Sequence, residues 1–191
     1  MTTIFEVKPK GRPGATRRTP ALDHFTTTEP GLLAEAVQAA VQRVAENTLK
    51  PVARHEDGQA VRPKNLLALL SFCYARQTYG SAEVVDWLQR DANIRHFSHN
   101  EFPDARSLSR FRRENRELLH RCLTATLRFL VERKVAAGIV TKVSETQLAE
   151  EASRRIIMAM FMDSLELEPE SPSDAPVDLC YLFAKGRALA H

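Results

Sequence analysis

The sequence predicts an all-α protein, and three observations carry that prediction. Apolar residues recur three and four positions apart through most of the chain, as they do on the buried side of a helix. Helix-start chemistry at Pro30, Pro63, Ser81, Asp104 and Ser144 is interleaved with helix-stopping glycines at Gly80 and Gly138. No stretch alternates apolar and polar residues convincingly enough for a strand, and the chain has no internal repeat.

Taken in order, residues 1–27 contain Gly11, Pro13, Gly14 and Pro20 without helical period and are expected to form a flexible basic arm. From Thr28, a cap, and Pro30, in the first turn, Leu33, Val37, Ala40, Val41 and Val44 form a stripe running to about Asn47. After a polar loop, a helix opens at Pro63, places Leu66, Leu67, Leu70, Cys73, Tyr74 and Gln77 on one face, and is expected to stop at Gly80. Another follows at once, with Ser81 as its cap and Val84, Val85, Trp87 and Leu88 inward, to about Asp91. Residues 92–103 hold Ile94, Phe97 and Phe102 among polar residues and read as a packed loop with a turn of helix.

Asp104 caps the next helix, in which the spacing divides two kinds of residue. At about 100° per residue, Leu108 and Phe111 fall on one side, while Arg106, Ser109, Arg110 and Arg113 fall on the other or its flanks. The three-four spacing then continues through Leu118, Leu119, Cys122, Leu123, Leu127 and Leu130, as one long helix or as two broken near Asn115, and Gly138 ends it. Ser144, Glu145, Thr146 and Gln147 make a capping box for a further helix to about Met162, with Leu148, Ala152, Ile156 and Met160 apolar. Glu150, Glu151 and Asp163 read as a solvated face and the start of an acidic tail.

The net charge of +3 is unevenly spread. Lys8, Lys10, Arg12, Arg17 and Arg18 face the single Glu6 within the first 20 residues. Residues 104–134 hold nine Lys and Arg against four acids, whereas residues 163–178 hold six acids and no Lys or Arg. Two basic zones suit a polyanionic partner. No apolar run reaches the ~18 residues of a membrane span, and the first residues lack the apolar core of a signal peptide, so a cytoplasmic location and no membrane partner are expected. Cys73, Cys122 and Cys180 are too scattered for a disulfide framework or a zinc site. His96 and His99 have no third ligand nearby, so no metal, cofactor, catalytic residue or small-molecule substrate is expected.

The stretch Pro63-Lys64-Asn65-Leu66-Leu67-Ala68-Leu69-Leu70 is followed by Tyr74, Gly80-Ser81, Val84, Val85, Leu88, Asp91, Ile94, Arg95 and Phe97. Pro103-Asp104 then leads into Ser107-Leu108-Ser109-Arg110-Phe111-Arg112-Arg113. Over roughly residues 60–138 this order resembles the amino-terminal domain of bacterial insertion-sequence transposases of the RNase H-like, Asp-Asp-Glu class. The resemblance implies an all-helical, helix-turn-helix-like region that recognises the element's terminal inverted repeats in double-stranded DNA. Separately, Lys8-Pro9-Lys10-Gly11-Arg12-Pro13 resembles the core of an AT-hook, whose thin basic backbone lies in a narrow minor groove.

Two departures qualify what is implied. The family continues with a strand bearing an Asp-Gly-Thr-like motif, but Gly138-Ile139-Val140-Thr141-Lys142-Val143 contains no acid. The two-metal carboxylates of a nuclease are therefore expected to be missing, and with them enzymatic activity. Asp91 and Asp104 also stand farther apart than a tight helix-turn-helix allows. The expected organisation is an arm at 1–27, a helical DNA-binding domain at 28–138, an additional helix at 139–165 and an acidic tail at 166–191. Its candidate DNA contacts are Arg106, Ser107, Ser109, Arg110, Arg112, Arg113 and Arg116, joined by Lys10, Arg12, Arg17 and Arg18 of the arm. The competing reading is a helical interaction module, a homodimer or a binder of an acidic protein, with no nucleic-acid role.

Overall fold

The computed structural model describes residues 30–51, 61–98, 101–138 and 143–167. Within them the chain forms α1 (Pro30–Gln42), a 3-10 turn (Glu46–Thr48), α2 (Pro63–Ala75), α3 (Ser81–Arg90), α4 (Ala92–Phe97), α5 (Ala105–Glu114), α6 (Arg116–Ala136) and α7 (Glu145–Glu166), with no strand. This is an all-α fold. No helix among these residues is long and apolar enough to cross a membrane. The basic arm, Thr28, Cys180 and the acidic tail beyond residue 167 lie outside the described residues.

Every residue of α2 from Leu66 to Ala75 is buried, so the helix has no solvent face, where the sequence reading gave it a single core face. Such a helix must be surrounded. The helices α1, α4, α5, α6 and α7 all pack against it, and α6 also contacts α1, α5 and α7. Phe102, expected to pack, is 48% exposed, while Ile94 is buried.

The end of α2 departs from expectation for a stereochemical reason. Gln77, with φ 67°, takes the left-handed position usually given to glycine. The Thr78 N–H then donates to the Cys73 carbonyl at 2.9 Å and the Gln77 N–H to the Tyr74 carbonyl at 3.1 Å, which closes the helix before Gly80 is reached. Gly80 is instead the residue preceding α3, and Ser81 is the first residue inside that helix.

The hydroxyl and the N–H of Ser81 both donate to the Asp163 carboxylate, each at 2.8 Å. An anion from α7 thus sits at the N-terminus of α3, where free N–H groups and the helix dipole favour it. Arg155 of α7 does the converse at the other side of the turn. Its Nη1 donates to the carbonyls of Tyr74 and Ala75, each at 2.9 Å, and its Nε donates to Glu151 Oε1 at 2.6 Å. A cation therefore closes the C-terminus of α2. Glu151 and Asp163 are buried structural anions, which corrects their reading as a solvated face and the start of a tail. For the same reason α7 is an integral wall of the domain.

Arg112, expected among the DNA contacts, is 1% exposed and ion-paired with Asp163, and it also donates to the Ser81 hydroxyl at 2.7 Å. Its guanidinium carbon lies 5.9 Å from the Tyr74 ring centroid. The pair ties α5 to both α7 and the start of α3. Its Nε and Nη1, and the Tyr74 hydroxyl, find no partner among the described residues, so the network is incompletely satisfied.

Two consequences can be measured by denaturant unfolding. Asp163→Ala should cost about 3–5 kcal/mol, because it strands a buried guanidinium and an open helix start, and Arg112→Met combined with Asp163→Leu should cost less than the sum of the single changes. Burial tends to raise the Glu151 carboxyl, but hydrogen bonds from Arg154 and Arg155 outweigh it and hold the group below its ordinary value of 4.5. Its folded pKa being depressed, Glu151 contributes stability that is present above about 4.5 and disappears as pH falls through the lower folded value. Glu151→Gln should flatten that acid limb of the stability profile.

Candidate nucleic-acid interface

The basic helix begins where Asp104 accepts a hydrogen bond from the Ser107 N–H at 2.6 Å. This is the predicted cap, and it spends the Ser107 amide on the helix start rather than on a ligand. Leu108, Phe111 and Arg112 are the buried side of α5. On the other side Arg106 and Arg113 are exposed, and Ser107, Ser109 and Arg110 are half-buried. Arg110 and Arg113 also make contacts within the chain. At about 100° per residue, Arg106, Arg110 and Arg113 fall within roughly 60° of one another, while Arg112 is turned about 120° away from Arg106.

α5 ends at Asn115 rather than running on into α6. The Asn115 side chain is buried and bridges to the segment after α1, accepting from the Lys50 N–H at 2.8 Å and donating to the Lys50 carbonyl at 3.2 Å. Arg116 is exposed at the first position of α6, and Lys50 is exposed as well. The junction therefore brings the Lys50 backbone to Asn115, next in sequence to Arg116. Lys50 was not foreseen, because a backbone bridge over 65 residues leaves no periodic mark in a sequence.

A guanidinium fork on the first turns of an exposed helix can pair with guanine O6 and N7, or bidentately with a phosphate. The charge of Arg112 is absorbed by Asp163 and adds nothing to this face. Glu114 is the single acid of α5 and is exposed at its far end. Lys10, Arg12, Arg17 and Arg18 lie outside the described residues. The interval between Asp91 and Asp104 is occupied by α4, so α3 and α5 pack together with a short helix inserted between them.

Other chemistry-bearing groups are placed differently. Burial pushes the Cys73 thiol up to about 12 and the Cys122 thiol up to about 11, so neither is a thiolate near neutral pH. His99 lies outside the described residues, and among those described no group of three or more His, Cys, Asp or Glu side chains could hold a metal ion. No family model matches the chain, and neither does any curated protein or any solved structure. The likeness to transposase modules rests on the residues of this chain alone.

Because Asp104 holds the turn that carries Arg106, Asp104→Ala should lower stability by about 1 kcal/mol and loosen that turn first. Amide hydrogen exchange at residues 106–108, compared with α6, measures both effects.

Proposed function

We propose that this chain binds double-stranded DNA sequence-specifically, as a transposase-like module whose role is recognition of inverted-repeat DNA rather than strand cleavage. The observation that supports this best is the arginine stripe of Arg106, Arg110 and Arg113 on the outer side of α5, whose inner side is locked by Leu108, Phe111 and the Arg112 ion pair. In this reading α5 enters the major groove from its N-terminal turns. Arg106, Arg110 and Ser109 address base edges, while Arg113 and Arg116 address phosphates. The basic arm, with Lys10, Arg12, Arg17 and Arg18, follows the backbone or the minor groove.

The test is a fluorescence-anisotropy titration with duplexes selected from a random library, repeated across salt concentrations. Neutralising about six phosphates predicts a log–log slope near −5. Arg110→Ala is expected to cost about 1–3 kcal/mol and to relax preference at one base position, whereas Arg113→Ala should weaken all duplexes alike. Unchanged affinity in both variants would move the site elsewhere. A salt-independent titration, together with a stoichiometric protein that co-purifies after nuclease treatment, would favour an interaction module instead.

A further inference from the structure

A second basic feature lies away from the stripe on α5. Between the end of α1 and the first half of α6 is a depression of about 440 Å³. Arg43, Arg121 and Arg128 stand around it, and Ala40, Val44, Cys122 and Ala125 give it an apolar floor. No carboxylate lines it. Arg43 and Arg121 are exposed and form no ion pair with any described residue. Arg128 is already taken by Glu145, its Nε donating to Oε1 at 2.7 Å and its Nη2 to Oε2 at 2.5 Å, so the unspent charge of the groove is that of Arg43 and Arg121.

The cationic side chains carry what anion recognition the groove offers. The Thr124 hydroxyl donates its one proton to the His120 carbonyl at 2.8 Å and so has none to give a ligand. His120 Nε2 is 2.9 Å from the Ala149 carbonyl. Since a carbonyl can only accept, that nitrogen carries the hydrogen. Guanidiniums above an apolar floor match a ligand that is anionic at one edge and carbon-rich at the other.

We infer that this groove binds phosphoryl oxygens, and that its occupant is the sugar–phosphate backbone of the duplex beyond the base pairs met by α5. The assignment of that occupant rests on the DNA-binding reading above. Charge complementarity supports it: Arg43 and Arg121 both line the groove, both are exposed, and neither is ion-paired with a described residue. The phosphates would take Arg43 and Arg121, while the sugar faces Ala40, Val44 and Ala125. The contact is to backbone and carries no sequence preference.

The experiment is the Arg43→Ala/Arg121→Ala double variant, whose changes are at exposed positions, with thermal melting to check that it folds. Loss of two phosphate contacts should make the log–log salt slope shallower by about 2 and weaken selected and scrambled duplexes by the same factor. Inorganic pyrophosphate supplies the second arm: it should raise the melting temperature of the parent chain but not of the double variant. An unaltered salt slope together with no groove-dependent pyrophosphate shift overturns this inference. The DNA-binding reading then survives provided that Arg110→Ala and Arg113→Ala still weaken binding. A pyrophosphate shift that needs Arg43 and Arg121, in a chain that binds no duplex, would keep the phosphoryl site and assign it to a free phosphate compound, and the DNA-binding reading would be the one to fail.

Discussion

The buried pair between Arg112 and Asp163 is the constraint on which the arrangement of this domain depends. One carboxylate from α7 meets a guanidinium from α5 and the first amide and hydroxyl of α3, so three helices are referred to a single point. Leu108 and Phe111 already turn one side of α5 inward, and the ion pair adds a penalty for any other rotation. Burying charge is costly, and the cost is recovered only when the partners are correctly placed, so alternatives in which α5 is turned about its axis leave an ion without a partner. The outward direction of Arg106, Arg110 and Arg113 follows from the inward direction of Arg112.

α7 applies the same electrostatic logic twice along its length. Arg155 closes the carbonyl end of α2 and Asp163 closes the amide end of α3, so the turn between them has a cation behind it and an anion ahead of it. Each charge lies at the helix end whose dipole favours it. Glu151 completes the arrangement by bridging Arg154 and Arg155, which carries the buried charge out towards solvent. The groove between α1 and α6 differs in kind, because there Arg43 and Arg121 stay exposed and only Arg128 meets a carboxylate, Glu145.

What the sequence disclosed was local. The Asp104 cap, the Ser144 capping box and the helix stop at Gly138 are all written within four or five residues of where they act, whereas the spacing leaves one helix or two open at Asn115. Arg112 was legible in principle: it stands four residues after Leu108 and next to Phe111, on the apolar side of the wheel. So was Asp163, which continues the spacing of Leu148, Ala152, Ile156 and Ala159. The spacing alone makes Arg112 a candidate DNA contact and Asp163 the start of an acidic tail, because charged residues are usually at the surface and nothing in a linear pattern pairs two residues 51 positions apart. The stop at Gln77 was missed for a different reason: a glycine three residues later offered a cheaper left-handed turn, and tertiary contacts with α7 overrode it.

The enclosure of α2 bears on how the chain is made. Leu66–Ala75 form an apolar segment that needs neighbours on all sides, yet the arginine that closes its end is 81 residues downstream of Tyr74. At about 5–20 residues per second, translation takes roughly 4–16 s to supply it. For that interval the segment has the local closure made by Gln77 and Thr78 but neither the cation behind its last carbonyls nor the whole of its enclosure, so an incomplete chain exposes apolar surface that the finished one covers.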